Sequence, residues 1–391
     1  MSKFPRRIVT AAIALVLTGG GVVATGPAAG AHEGHGEAGH KHDKGNHHVW
    51  LPKVMASGLF TPLSTAIDRD GTAYVAEAFA GRILKIRPGK SPKVIYTDPD
   101  GNEVAGLSVH RKVLTFTVSR SDPETGHYSG TWVKRLHPNG KVRTIADTYR
   151  HETKRNPDGW VRYGFRDSDP TCDAKWPTDM GVPASYRGIE DSHPYATATS
   201  HGWTFVADAA GNDILAVSPH GRLRTVAVMP AVRYTITAEA AASLNLDPCF
   251  VGRDYYFENV PTDVEVGPHG KLYVSSLPGG PESPELGARG AVYTVDPGKH
   301  RVRKIAGDLL GATGVAVSPH GTVYATQMFG NEITRLKHSR HHHGMKRSVL
   351  ATPTMPGAVE WSRWGVIATT DVLTGADGTS EPAGKLVRYG F

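Results

Sequence analysis

Gly202-Trp-Thr-Phe-Val-Ala-Asp208, followed after a short gap by Asp213-Ile-Leu-Ala-Val217, is the stretch that decides the fold. Each half is a short, largely apolar segment bounded by turn residues, which is typical of a β-strand. Two further copies are nearly the same: Gly71-Thr-Ala-Tyr-Val-Ala-Glu77 with Arg82–Ile86, and Gly321-Thr-Val-Tyr-Ala-Thr-Gln327 with Glu332–Leu336. Internal repeats of this length indicate the architecture before any single residue does.

Three looser copies extend the repeat along the chain. They are Val113–Val118 with Thr131–Leu136, Lys271–Ser275 with Ala291–Val295, and Val366–Thr370 with Lys385–Tyr389. Each copy fits the two middle strands of a four-stranded antiparallel sheet. Six such sheets arranged around an axis form a β-propeller. The sequence therefore predicts an all-β protein, a six-bladed β-propeller over residues 49–391.

The last repeat supplies three strands, because the chain ends soon after Tyr389. The segment Trp50–Leu59, which precedes the first repeat, has the composition of an outer strand. A closed ring must leave no open sheet edge. We therefore expect the N-terminal strand to complete the sixth blade.

The N-terminal residues 1–31 have the features of an export signal. Lys3, Arg6 and Arg7 form a basic start, Ile8–Leu17 is apolar, and Ala29-Gly-Ala31 is a small-residue cleavage site. We expect a secreted, extracellular protein with no transmembrane segment once this peptide is removed. Residues 32–48 contain no apolar side chain larger than alanine, so we expect a disordered, histidine-rich tail.

Charge and cysteine content narrow the class of partner. The formal net charge of +7 comes without a basic block that contains aromatic residues, so we expect no nucleic acid partner. We expect a monomer whose partner is a small molecule or an extracellular protein. In an exported protein the two cysteines, Cys172 and Cys249, predict a disulfide.

The surplus length of the chain lies in five long connections. In a four-stranded blade these connections all belong to the same face of the ring: 147–192, 229–261, 119–130, 276–290 and 371–384. A scaffold that keeps one face short and elaborates the other presents a binding surface. Both cysteines belong to this face, so their disulfide would hold it in place.

Polar residues stand where strands begin or end at the elaborated face. The candidates for ligand contact are Glu77, Asp208, Gln327, Asp371, Glu190, Asp191 and His193. Such carboxylates can bind Ca²⁺ or another divalent metal, or can act as an acid and base pair. The alternative is structural, with Glu77 and Asp208 satisfying the backbones of neighbouring blades.

Histidines provide a second candidate metal site. The tail contains His32, His35, His40, His42, His47 and His48, and a further group comprises His338 and His341-His-His343. Imidazole groups at these spacings can bind Zn²⁺, Ni²⁺ or Cu²⁺. The alternative is a solvated spacer without a metal.

The chain resembles the ScyD/ScyE family of exported propellers, relatives of the NHL-repeat and SMP-30-like propellers. The resemblance rests on Gly188-Ile-Glu-Asp-Ser-His-Pro-Tyr195, Val206–Asp213, Val260–Gly270 and Leu272-Tyr-Val-Ser-Ser-Leu277. His193 stands where that family usually has asparagine, and the insertion with Cys172 is distinctive. The resemblance implies a six-bladed fold and export.

Three functions remain open from the sequence. We favour a secreted propeller that binds a ligand or partner on its elaborated face, because the long connections all lie on one face and no nucleophile elbow, phosphate loop or zinc helix is present. One alternative is a metal-dependent hydrolase or lactonase of the SMP-30 type that uses the channel carboxylates. The other is metal scavenging by the histidine tail.

Overall fold

The computed structural model describes residues 51–122, 125–281, 284–339 and 344–390. The expected signal peptide, the tail histidines, Trp50 and His341–His343 lie outside the described residues. None of the helices in the described part is long and apolar enough to span a bilayer.

The first two blades occupy the chain up to Asp147. They are preceded by one strand that belongs elsewhere in the ring. The strands are β1 (Lys53–Leu59), β2 (Pro62–Ile67), β3 (Ala73–Glu77), β4 (Arg82–Ile86), β5 (Lys93–Thr97), β6 (Glu103–His110), β7 (Val113–Ser121), β8 (Tyr128–Leu136) and β9 (Val142–Asp147).

The third blade is flanked by two insertions with structure of their own. The first insertion contains α1 (Thr148–Arg155), β10 (Arg162–Phe165), α2 (Pro170–Asp173) and β11 (Ser185–Arg187). The blade consists of β12 (Pro194–Ser200), β13 (Trp203–Asp208), β14 (Asp213–Val217) and β15 (Leu223–Val228). The second insertion contains β16 (Val232–Thr235), α3 (Ala238–Ser243) and β17 (Asp254–Phe257).

The last three blades follow without further helices longer than a 3-10 turn in the described residues. The fourth and fifth are β18 (Asn259–Val266), β19 (Leu272–Pro278), β20 (Gly290–Asp296), β21 (Arg301–Leu309), β22 (Ala312–Val317), β23 (Val323–Gln327), β24 (Glu332–His338) and β25 (Met345–Ala351). The sixth contains β26 (Val359–Ser362), β27 (Gly365–Thr370) and β28 (Gly384–Tyr389). Short 3-10 turns lie at Ala78–Ala80, Thr178–Met180, Pro248–Phe250, Pro268–Gly270 and Pro284–Leu286.

The strands pair as antiparallel sheets of four, which confirms the all-β propeller class. The sheets of the first five blades are β2 to β5, β6 to β9, β12 to β15, β18 to β21 and β22 to β25. The innermost strands β2, β6, β12, β18, β22 and β26 contact one another in a closed cycle. The chain thus forms a ring.

The ring closes through the two ends of the described chain. Strand β1 lies at the outer edge of the sheet β1-β28-β27-β26, where Lys53 pairs with Arg388 and Leu59 with Gly384. This is the closure that the sequence predicts. Strand β28 is paired with β27 on one side and with β1 on the other, so the sixth blade has four strands, as the other blades do.

Apolar side chains from neighbouring blades form the core between the sheets. Between the first and second blades, Tyr74 and Ile83 pack with Leu114 and Phe116. At the closure, Leu59 and Leu386 pack with residues of the first blade such as Val75. The period-two alternation of the strands produces these contacts, because successive side chains point to opposite faces of a sheet.

The two insertions combine into a seventh sheet outside the ring, in the order β11-β10-β17-β16. We call this sheet, with α2 and α3, the cap (residues 162–187 and 232–257). The sequence predicts that both insertions lie on one face of the ring, but it does not predict that strands of the two insertions pair with each other. Their strands are short and follow no repeat, so nothing in the blade pattern indicates them.

Candidate functional site

The disulfide joins the two halves of the cap. The Sγ atoms of Cys172 and Cys249 are bonded and the Cα atoms are 5.9 Å apart, which confirms the predicted disulfide. An aspartate caps the short turn at each cysteine: Asp169 accepts from the Cys172 N–H (3.1 Å) and Asp247 from the Cys249 N–H (3.0 Å). These caps fix both half-cystines in position.

Aromatic side chains form the core of the cap. The Phe165 ring contacts Phe250 at 5.2 Å, Tyr255 at 5.2 Å and Trp176 at 5.4 Å between centroids. The guanidinium of Arg253 lies 4.2 Å from the Phe165 centroid and pairs with carboxylates of the first insertion. The cap is therefore a packed unit rather than two loose loops.

An apolar cleft opens between the cap and the connection from β19 to β20. Its empty volume is about 690 Å³, which includes open solvent at the mouth. Its walls are mostly aromatic and aliphatic. The lining residues are Trp176, Met180, Val182, Tyr186, Tyr234, Ile236, Ala240, Leu244, Leu246, Tyr255, Phe257, Glu258, Gly279, Gly280, Pro281 and Leu286.

Glu258 is the acidic residue of this lining. Its side chain follows directly after β17 and is 2% exposed, and its Oε1 has no hydrogen-bond partner in the described structure. Burial raises the pKa of Glu258 to about 8, and the negative charges of Asp158 and Asp191 act in the same direction. The hydroxyl of Tyr186 lies beside the carboxyl and opposes this shift.

A cluster of further buried acids lies behind the cleft, around α1 and β14. Burial raises the pKa of Glu152 to about 9, and Asp208 and Asp158 add to the effect. Asp213 is fully buried and neither carboxylate oxygen has a hydrogen-bond partner, although the nearby Thr225 hydroxyl favours ionisation. Asp158 accepts from the Tyr163 hydroxyl and the Asn212 amide, each at 3.0 Å.

His193 and Asp208 are brought together at the start of β12. The Asp208 carboxylate accepts from the His193 N–H and the Ser192 hydroxyl, each at 2.6 Å. The His193 Nε2 lies 3.0 Å from Glu103, and its ring stacks on Tyr128 at 4.3 Å. Burial disfavours a charged imidazole, but Glu103, together with Asp208 and Asp191, outweighs this effect and raises the pKa of His193.

Three of the predicted residues have one structural task in common. Glu77 accepts from the Phe60 N–H (2.7 Å) and Gln327 from the Leu310 N–H (2.7 Å), as Asp208 does from His193. In each case the last residue of a blade's second strand holds the backbone that leads into its first strand. This arrangement repeats in the first, third and fifth blades.

The other predicted residues lie apart from this set. Asp371 accepts from Thr370 and pairs with Lys385 at 3.2 Å. Asp191 is buried and accepts from the Ser192 N–H, whereas Glu190 is exposed. In the described residues, no three histidine, cysteine, aspartate or glutamate side chains come together in an arrangement that could hold a metal ion.

The axis itself is filled by apolar side chains at the elaborated face. Leu63, Tyr195, Val260, Met328 and Val372, from different blades, belong to one buried cluster. Beneath it, Asp263, Glu265 and Glu360 line a narrow void, and burial raises the pKa of all three. These carboxyls were not predicted as site residues, although Asp263 and Glu265 lie in the segment Val260–Gly270 that carries part of the family resemblance.

The cleft was not predicted, although the sequence carried a signal for it. Aromatic residues are concentrated in the two insertions, and Tyr255-Tyr-Phe257 stands directly before Glu258. A run of this kind in a connection would be costly to leave exposed. It indicates a separate apolar core, which is what the cap provides.

No family model matches the chain, and no curated protein matches it. Solved structures share its fold at low identity. A protein of Thermus thermophilus described as an oxidoreductase (glucose dehydrogenase) has a TM-score of 0.51 and 16% identity, covering 86% of this chain and 99% of that one. The PQQ-bound aldose sugar dehydrogenase of Streptomyces coelicolor has a TM-score of 0.50 and 12% identity, and the match covers 86% of this chain and 98% of that one.

The major allergen Mala s 1 of Malassezia sympodialis is a third neighbour, with a TM-score of 0.50 and 15% identity over 85% of this chain and 94% of that one. These neighbours are propeller-like, and at such identities the likeness shows the fold alone. A shared fold does not by itself give the function of this chain.

Proposed function

We propose that the protein is an exported propeller that binds a small ligand in the apolar cleft between its cap and the β19–β20 connection. One observation carries the proposal: the cleft is built from three of the five elaborated connections and is lined mainly by aromatic and aliphatic side chains. Concave, apolar sites with few polar groups are typical of ligand pockets. The blades provide the rigid scaffold.

The disulfide and the N-terminal sequence favour a location outside the cell. The disulfide suits an oxidising compartment, which agrees with removal of residues 1–31 during export and with a tail over 32–48. The resemblance to the ScyD/ScyE family also favours export. Membership of that family remains part of this proposal.

The test is a titration with N-phenyl-1-naphthylamine, a neutral dye whose emission rises in apolar surroundings. We expect saturable binding of one equivalent to the wild-type protein. Val182→Trp places a large ring in the cleft lining and should weaken binding by about tenfold or more. Reduction of the disulfide should also weaken it, because the two halves of the cap are then no longer joined.

Val349→Trp is the matched control, because Val349 is 54% exposed on the outer strand β25, in a different part of the ring. It should bind the dye as the wild type does. If Val182→Trp and Val349→Trp bind equally well, the cleft is not the binding site. If the wild type binds neither the dye nor a smaller probe in the cleft, the proposed function is wrong.

A further inference from the structure

The cleft combines two features that together indicate the charge of its ligand. The first is the Glu258 carboxyl, which is buried at the cleft with Oε1 unpaired. Among the described lining residues, it is the buried side chain left with an unsatisfied polar atom. A buried polar atom without a partner is costly, so a ligand that supplies the partner is favoured.

The second feature is the set of aromatic rings that line the same cleft. Trp176, Tyr186, Tyr234, Tyr255 and Phe257 all line the cleft. The faces of aromatic rings attract cations, and alkylated ammonium groups bind in such cages. The cap already uses this interaction, since the Arg289 guanidinium lies 4.5 Å from the Phe257 centroid and 5.6 Å from that of Tyr234.

The acids near Glu258 also favour a positively charged ligand. Asp158 and Asp191 are the charged groups that act on Glu258, and both are acids. The Tyr186 hydroxyl is hydrogen-bonded to Glu258. Burial raises the pKa values of Tyr163 and Tyr255, which are near enough for the Glu258 charge to raise them further, so all three hydroxyls are neutral. A basic group, Arg289, also lies at the cleft wall, where its guanidinium contacts the Tyr234 and Phe257 rings and donates to the Pro281 carbonyl at 2.7 Å.

We propose that the cleft binds a small alkylated ammonium ion, whose charge pairs with the Glu258 carboxylate and whose alkyl groups contact the aromatic walls. This inference rests on the proposed function, because it names the chemical class of the ligand of the same cleft. The volume limits the size of the inserted group. The empty volume of about 690 Å³ includes the open mouth, so a trimethylammonium-sized group fits inside and a larger body would extend to the mouth.

The experiment compares three probes of nearly the same shape by NMR titration of the wild-type protein. Choline carries the positive charge, 3,3-dimethylbutan-1-ol is its neutral isostere, and 3,3-dimethylbutanoate carries a negative charge. At about pH 9, choline should bind at least tenfold more tightly than the neutral alcohol. The anion should bind more weakly than either.

The pH dependence provides a second readout that requires no variant. Below a pKa of about 8, choline must displace the Glu258 proton, so its Kd should rise about tenfold for each unit of falling pH. The affinity of the neutral alcohol should not follow this course. A choline affinity independent of pH between about pH 6 and about pH 9 would overturn the pairing with Glu258.

Glu258→Gln keeps the shape of the protonated side chain and cannot ionise. At about pH 9 this variant should bind choline at least tenfold more weakly than the wild type does, whereas its affinity for the neutral alcohol should be unchanged. Glu285→Gln, at an exposed carboxyl in the same connection as the cleft wall, is the matched control and should bind choline normally. Equal loss in both variants would contradict the assignment.

The outcomes separate the two proposals. If the alcohol or the dye binds in the cleft and choline binds no better, the ammonium inference is wrong and the binding function stands. If the anion binds best, the inference is also wrong. If neither the dye nor any of the three probes binds, both proposals fail.

Discussion

Two carboxyl groups from different regions of the molecule, one in a blade and one beside the cap, are equally buried but paired in opposite ways. Glu77, at the end of β3, is 1% exposed and binds both the Phe60 N–H and the side chain of Arg82. Glu258 is 2% exposed and has an unpaired oxygen. Equal burial with different pairing shows that the acid of the blade serves the backbone, whereas the acid of the cleft is left available.

The buried acids near the cap should make the protein less stable as the pH rises. Glu152 has a pKa near its ordinary value when unfolded and about 9 when folded, mainly because it is buried. Between these values the unfolded state binds fewer protons, so the free energy of unfolding falls by up to about 1.4 kcal/mol for each pH unit. Denaturant unfolding at about pH 5, 7 and 9 should show this loss.

Glu152→Gln should flatten the fall, since the amide cannot ionise. Glu239→Gln is the matched control, because Glu239 is exposed on α3, and it should leave the slope unchanged. A wild-type protein that gains stability from about pH 5 to about pH 9 would contradict the raised pKa of Glu152 in the folded state.

A smaller effect is expected at the blade acid. Glu77→Ala leaves the Phe60 N–H without its acceptor and removes the pair with Arg82, which is 41% exposed and so contributes less. We expect a loss of about 2 kcal/mol in the free energy of unfolding. Glu77→Gln should lose less, because its amide oxygen can still accept from Phe60, and equal losses would show that the charge matters more.

The smallest effect is expected at the exposed pair of the sixth blade. Lys385 lies 3.2 Å from Asp371, but their side chains are 41% and 20% exposed. Lys385→Ala should therefore change the free energy of unfolding by less than about 1 kcal/mol. A loss as large as that of Glu77→Ala would mean that burial does not decide the role of these strand-end acids.

The repeat predicted the ring because each blade is specified locally by alternation and turns. The outer position of β1 followed from the need to leave no open edge, and the disulfide from export and the position of Cys172 and Cys249. Polar residues at strand ends were found for the same reason. Three of the seven, Glu77, Asp208 and Gln327, accept the repeated backbone hydrogen bond.

The cap and its cleft could not be predicted in this way. Gly164 of β10 pairs with Tyr256 of β17, and these residues come from two insertions that are separated by a complete blade. Nothing in either insertion alone specifies that pairing. The role of Glu258 depends on it, since the residue is ordinary in sequence and becomes a buried, unpaired acid when the insertions meet.

The closure of the ring by β1 and β28 also constrains the order of folding. Strand β1 is made early, whereas its partner is made last of all the strands in the described chain. Until then β1 has an unpaired edge, and forming this contact closes a loop that spans nearly the whole chain. Contacts of this kind are slow to form. The seam of the sixth blade is therefore expected to be the step that completes folding, and the place where association between nascent chains would begin.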